Sequence, residues 1–355
     1  MQMYKIIFVG DLNVYAKEND LVALLRQLGH RVTALTHKQV QDNKLGYLSV
    51  GFLDRILWKL GFQFDKQKVG PKLLDIVHKE KIDIVWIVKG NMINPSILKK
   101  LKTISPQTLL VSSSYDDMYV WHNRTWFYTF GLKHYDLVFT TKKYNLNPDE
   151  LPRFGAKRVC FLYQSYRQNT HYPVALSEED RCRYGAEVSF IGCYEKERAL
   201  SILYLAQHGI SVRVWGNGWE KFKVLHPNIK IECRPVVNDS HDLAYTKTIC
   251  ASAINLCFLR KMNRDLHTTR SVEIPACGGF MLAERTLDHL VLFQEGKEAA
   301  FFSDNAELLK LVKYYLMHPK ERAAIAAAGR QRCLQNDYSS LDEVKSILKE
   351  VEKLL

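Results

Sequence analysis

Ile254-Asn-Leu-Cys-Phe-Leu259, then Arg264-Asp-Leu-His-Thr-Thr-Arg-Ser-Val-Glu-Ile-Pro-Ala-Cys-Gly-Gly-Phe-Met-Leu-Ala-Glu-Arg285, reads as a buried strand, a short helix around 271–277, a Gly-Gly turn and a second buried strand over 279–283. Apolar strands separated by helices are the mark of a parallel sheet covered on both faces. The same alternation runs outward from this unit. Upstream lie strands over 187–192, 210–215 and 229–233, and helices over 195–207 and 242–251; downstream lie a strand over 299–302 and helices over 306–317, 319–334 and 340–355. The first half repeats the pattern with strands over 4–9, 31–35, 82–88, 108–112, 137–140 and 158–162, and helices such as 20–28 and 95–101. The periodicity lapses in a polar stretch that holds Gln164, Asn169, Pro173 and the acidic run Glu178-Glu-Asp180. The fold class is therefore α/β. We expect a Rossmann-like amino-terminal domain over 1–168, a linker over 169–186, a second Rossmann-like domain over 187–335 and a closing helix over 336–355 that can pack back on the first domain.

The chain has 355 residues, of which 47% are hydrophobic, 25% charged and 11% aromatic, a composition that excludes disordered, collagenous and small disulfide-stapled classes. No apolar run approaches the roughly 20 residues that span a bilayer, and the start of the chain lacks the pattern of a secretory signal. A cytoplasmic protein is expected. Its eight cysteines stand singly, without metal-site spacing, and read as reduced core residues. The net charge of +12 is uneven: residues 1–170 carry 25 Lys and Arg against 14 Asp and Glu, while the remainder carries 25 against 24. Such asymmetry points to an anionic partner for the first half or to a solvated lysine-rich face. No nucleic-acid motif accompanies it, so no specific nucleic acid is expected.

The chemistry concentrates at the carboxyl ends of strands, where open α/β sheets bind ligands. If Thr268 or Thr269 caps the helix that follows, its amides and positive dipole end form an anion site suited to a diphosphate. Arg270 and Glu273 share a face of that helix at i, i+3, and the glutamate can accept hydrogen bonds from ribose hydroxyls. The alternatives are a surface ion pair for these two and a helix C-cap for Gly278-Gly279. In the first half, Gly10-Asp11, Lys89-Gly90 and Asp116-Asp117 follow three strands and place polar groups on one edge. Either aspartate of the last pair can orient or deprotonate a hydroxyl or hold a sugar, Lys89 can meet phosphate, and the alternative for Asp116-Asp117 is a turn or cap. No D-x-D triplet occurs, so no obligatory metal or other cofactor is expected. Residues 44–68, rich in large apolar side chains flanked by Lys and Arg, either pack on their own domain or lie at a membrane interface.

The segment from Arg270 through Glu273-Ile-Pro-Ala-Cys-Gly-Gly-Phe280 and Glu284-Arg285 to Gly296-Lys-Glu-Ala-Ala-Phe-Phe302 resembles the carboxy-terminal signature of CgeB-like (spore maturation protein CgeB type) GT-B glycosyltransferases. Val188-Ser-Phe-Ile-Gly192, Glu195-Lys-Glu-Arg198 and Val212-Arg-Val-Trp-Gly-Asn-Gly-Trp219 extend the likeness upstream; residues 83–90 and 115–117 extend it more loosely into the first half. The resemblance implies a GT-B architecture, two Rossmann-like domains facing a central cleft, with a nucleotide-sugar substrate such as a UDP-sugar on the second domain. It implies that Glu273 binds the ribose, that Asp265 stands at the first acidic position of an E-x7-E motif, and that Arg198 with Arg260 or Lys261 meets the diphosphate. Gly192, Gly216, Gly278 and Gly279 would admit the nucleotide to the backbone, and Trp219 would flank the base or belong to the core.

The reading that unites these points is a cytoplasmic glycosyltransferase, metal-independent, moving a sugar from a nucleotide-diphosphate donor to a hydroxyl acceptor (a glycan, lipid-linked or protein). The partial D-x7-E pattern favours retention at the anomeric carbon. An anionic or membrane-borne acceptor, with peripheral contact at the inner membrane face, fits the basic first half. The competing readings are a nucleotide-sugar epimerase on the same fold and a degenerate protein that binds a nucleotide sugar or an anionic polymer.

Overall fold

The structure, a computed structural model, describes residues 2–38, 51–239 and 242–355. Residues 44–50 of the apolar, basic stretch lie outside the described residues. The chain divides into two units, one of residues 1–163, 262–264 and 340–355, the other of 164–261 and 265–339.

The first unit is a parallel six-stranded sheet of β1 (Lys5–Gly10), β2 (Arg31–Thr36), β3 (Ile84–Val88), β4 (Leu109–Ser114), β5 (Leu137–Thr140) and β6 (Val159–Phe161), in the order β2-β1-β3-β4-β5-β6. Alternation along the strands feeds two cores. Ile7, Val9, Val85 and Ile87 pack beneath helices Val69–Lys79 and Pro95–Ile104, while Ile6, Phe8, Ile84 and Trp86 pack on the other face. That second face is covered by helix Lys17–Gln27 and by helix Ser340–Glu352, whose Val344, Ile347, Leu348 and Val351 form one i, i+3, i+4, i+7 stripe. The terminal helix is tied by Glu343, which accepts from Tyr115 Oη at 2.6 Å and pairs with Lys17 at 2.7 Å.

The second unit is also parallel and six-stranded, with β7 (Ala186–Ile191), β8 (Val212–Trp215), β9 (Ile229–Glu232), β10 (Ser252–Cys257), β11 (Met281–Glu284) and β12 (Ala300–Phe302) ordered β12-β11-β10-β7-β8-β9. Its main core joins Val188, Phe190, Leu256 and Leu282 to helices Lys196–Gln207 and Asn305–Met317. The polar stretch before β7 is not bare linker, for it carries helix Glu178–Tyr184. Ser177 Oγ accepts from Asp180 N at 3.1 Å and Asp180 Oδ2 accepts from Ser177 N at 3.2 Å, a capping box. All eight cysteines are free, but only Cys257, Cys277 and Cys333 are buried; Cys182, Cys193 and Cys233 are exposed, which corrects the reading of all eight as core. No helix among the described residues is long and apolar enough to cross a membrane.

Candidate active site

In the second unit the strand order reverses between β7 and β10, the place where an open sheet leaves a crevice at its carboxyl edge. Arg198, in the first turn of the helix after β7, and Arg270, first residue of helix Arg270–Ala276, both set their guanidinium carbons 5.7 Å from the Phe190 ring centre. Arg198 is 5% exposed; its Nη1 donates to Cys193 O at 3.1 Å, and Arg270 Nη2 donates to Phe258 O at 3.2 Å. The Nε of each is buried without a hydrogen-bond partner. Burial, and then the neighbouring Arg270 charge, push the Arg198 guanidinium down to about 10. A buried and a half-buried guanidinium side by side, each with an open Nε donor, suit an anion with several oxygens, which would offset the repulsion and supply the missing hydrogen bonds.

Other expected diphosphate contacts are already engaged. Arg260 Nε donates to Glu195 Oε1 at 2.9 Å, and that oxygen lies 3.7 Å from Arg198 Nη1; Lys261 pairs with Glu284. Asp265 Oδ2 accepts from Arg260 N at 3.3 Å, which fixes the loop after β10. Arg270 and Glu273 do not pair with each other. Glu273 Oε2 accepts from Tyr245 Oη at 2.6 Å, while Oε1 lies 3.9 Å from His171 Nδ1, a nitrogen that accepts from Arg167 N at 3.1 Å. The carboxylate is thus oriented through one oxygen, and the second is open to a hydroxyl. Tyr245 and His171 come from segments remote in sequence, so no local pattern announces them.

Three expectations need correction. Neither Thr268 nor Thr269 caps the helix with its side chain, and the amides of Ser271, Val272 and Glu273 already donate to the Thr268 and Thr269 carbonyls at 2.9–3.0 Å. With only seven residues, this helix has few donors left for a phosphate. Gly278 and Gly279 form the helix C-cap: Gly278 has φ 74°, its N–H donates to Pro275 O at 2.8 Å, and Gly279 N–H donates to Ile274 O at 3.0 Å. That is a Schellman motif, and it leads into the amino end of β11, away from the carboxyl edge. Trp219 is 1% exposed, packed on Phe190 and Tyr194, with Nε1 donating to Gly192 O at 2.8 Å, so its ring is a core wall and offers no face to a base. Gly216 is needed because a Cβ there would stand 2.0 Å from Gly192 O, so both glycines serve a close backbone contact beyond β7 and β8.

In the first unit the order reverses between β1 and β3. Gly10 and Asp11 close β1, and Lys89 and Gly90 close β3 with successive positive φ of 61° and 73°. Asp11 Oδ1 accepts from Asn13 N and Nδ2, and Oδ2 accepts from Lys38 Nζ at 2.6 Å. Burial works to raise this carboxyl, but the Lys38 hydrogen bond and charge prevail and hold it below its ordinary range. Glu18, in the first turn of the next helix, behaves oppositely: burial, with Asp11 adding, raises it. The Gly10 position is pressed against Glu18, since a Cβ there would approach Glu18 Cβ to 3.0 Å. His37 is pushed down to about 4 by burial and then by the Lys38 charge, and its buried Nδ1 has no partner among the described residues. Lys89 Nζ pairs with Asp116 Oδ2 at 2.5 Å. Glu18 and His37 escape a motif search, because their significance comes from burial beside Asp11.

Asp117 is no candidate for chemistry. It is 0% exposed; Oδ1 accepts from Tyr119 N and Asn145 Nδ2, Oδ2 accepts from Arg264 Nε, and its N–H donates to Asn263 Oδ1 at 2.8 Å. Arg264 also forks onto Glu150 at 2.7 and 2.8 Å. A carboxylate so saturated holds the loop together and has no lone pair to spare.

Residues 197–349 match the family model of glycosyl transferase-like proteins. No curated protein sequence matches the chain significantly. Among solved structures it resembles sucrose-phosphate synthase from Thermosynechococcus elongatus, with 12% identity, TM-score 0.65, and coverage of 99% of this chain and 100% of that one. It also resembles Anabaena HepE in complex with UDP and glucose (13% identity, TM-score 0.61, 99% and 100% covered). A third is an α-glucosyltransferase in complex with UDP and a 13-mer DNA (13%, 0.63, 99% of each). The two parallel sheets share the fold of these glycosyltransferase structures, and the segment over residues 197–349 is glycosyl transferase-like.

Proposed function

We propose that the chain transfers a sugar from a UDP-sugar to an acceptor hydroxyl without an obligatory metal. The observation that carries this reading is the Arg198–Arg270 pair on Phe190, two cations whose Nε atoms are buried and unpartnered among the described residues at the strand-order reversal of the second unit. Their charge suits the diphosphate leaving group, whose developing negative charge is the main electrostatic demand of the reaction. Glu273, oriented by Tyr245, accepts from the ribose hydroxyls through Oε1. The anomeric carbon–oxygen bond to the diphosphate breaks, the acceptor oxygen bonds to that carbon, and the acceptor proton leaves to a carboxylate or to solvent, Glu18 and Asp116 of the first unit being the candidate bases. The UDP held by HepE and by the α-glucosyltransferase supports uracil as the base. The CgeB-like affinity and retention rest on the Glu273 signature and on Asp265. The acceptor is anionic or membrane-borne, in keeping with 25 Lys and Arg against 14 Asp and Glu over residues 1–170.

The test is thermal unfolding of the wild type, Arg198→Met and Glu273→Ala with UDP, GDP, ADP and their sugar conjugates. UDP at 100 times its dissociation constant stabilises the wild type by about 2.7 kcal/mol. Arg198→Met loses that shift while its ligand-free stability changes little, because the desolvation cost of a buried guanidinium with an open Nε is removed along with its Glu195 contact. A wild type that responds to no nucleotide overturns the reading. Turnover of a UDP-sugar to its epimer without acceptor would move the chain to the epimerase class.

A further inference from the structure

Helix Phe52–Lys59 of the first unit has no buried residue, although five of its eight side chains are apolar. Phe52 and Leu53 are 73% and 72% exposed, and Leu60, Phe62 and Phe64 continue the exposed series. This surface joins a second one. Trp126 N donates to Gly61 O at 2.8 Å, Trp126 Nε1 donates to Leu60 O at 3.1 Å, and Phe62 meets Phe127 edge-on at 6.0 Å. The indole lies flat on Gly61, where a Cβ would come within 2.8 Å of it, and stacks on the exposed Phe130 at 5.8 Å. Its one polar atom is satisfied internally, so the half-exposed remainder of the ring is purely apolar and can leave water without stranding a donor. Residues 52–72 carry Arg55, Lys59, Lys66, Lys68 and Lys72 against two acids, and both acids are occupied: Asp54 by Lys66 at 2.5 Å, Asp65 by the amides of Val69 and Gly70.

A contiguous exposed aromatic and aliphatic face, ringed by cations on stems long enough to reach outward, is matched by one kind of surface: an apolar layer under a negatively charged boundary. We infer that Phe52, Leu53, Leu60, Phe62, Trp126 and Phe130 form a docking face for an anionic phospholipid bilayer. Each cation near such a surface adds about 1 kcal/mol, and the inserted apolar side chains supply the rest. The face lies on the first unit and its docking needs no donor; it deepens the acceptor reading above by naming the partner as the membrane itself, and it stands even if the nucleotide reading fails.

Flotation of the full chain with phosphatidylcholine vesicles, with and without about one-third phosphatidylglycerol, tests it. The wild type floats with the anionic vesicles, stays behind with neutral ones, and is released by high salt. Phe52→Ser with Leu53→Ser weakens flotation at least about tenfold without changing circular dichroism or the UDP thermal shift, since neither side chain is buried. Lys59→Glu with Lys68→Glu removes the preference for anionic vesicles. A wild type that floats with neither vesicle overturns the inference, as does flotation indifferent to the Phe52/Leu53 change. A concentration-dependent dimer abolished by that double change, without flotation, also overturns it and assigns the face to a second copy.

Discussion

The two units share an architecture and differ in how they are charged at the place where strand order reverses. In the second, two arginines stand side by side with buried Nε donors unmet among the described residues. In the first, the strand-end carboxylates Asp11 and Asp116 are paired with Lys38 and Lys89, while the nearby Glu18 carboxyl is raised by burial. The contrast is one of charge: cations with open Nε donors at one reversal point, carboxylates paired with lysines at the other.

The sharpest way to break that comparison concerns neighbours in the first unit. Asp117→Ala strands Arg264 Nε and two amide donors, and we expect a loss of about 3 kcal/mol in urea unfolding with UDP binding kept. Asp116→Ala, whose ion pair is partly exposed, should cost no more than about 1 kcal/mol. Equal costs would mean that both aspartates are structural. Next comes Glu18→Gln, for which kcat should fall about 100-fold with little change in the donor KM and with the acidic limb of the pH profile displaced. An unchanged profile removes Glu18 from proton transfer.

A third contrast uses histidine. His37 in the first unit and His289 in the second are both held neutral down to about pH 4, each chiefly by burial, against an ordinary 6.5. Between those values the unfolded chain binds the protons that the folded chain refuses. Stability is therefore full above about pH 6.5 and falls as the solution is acidified toward 4, by on the order of 2–3 kcal/mol for each ring. His289→Gln keeps an acceptor for Ser271 and should flatten the acid slope by the second unit's share; a slope equal to wild type would show that His289 does not carry it. A comparably small effect is expected at Gly278→Ala, about 1 kcal/mol from the left-handed cap, with UDP affinity untouched. A lost UDP shift would return Gly278 to the nucleotide.

Part of the candidate site was readable within one local pattern: Arg270 and Glu273 followed from a helix start and i, i+3 spacing, whereas Arg198 came from the resemblance alone. Trp219 and Asp117 misled for one reason: a large ring and a charged group after a strand look the same in sequence whether they face solvent or are sealed by neighbours. Trp219 is closed in by Phe190 and Tyr194, Asp117 by Arg264 and Asn145.

The order of apolar runs, turns and helical stripes determined two parallel sheets, because hydrophobic periodicity is a local property that each segment carries alone. Helix Ser340–Glu352 shows the same, its stripe being written in Val344, Ile347, Leu348 and Val351. Tertiary structure alone decided which polar groups are unpaired. The partners of Glu273 and Asp117 come from distant parts of the chain, and burial, which sets the charge of Arg198 and Glu18, exists only once those parts meet.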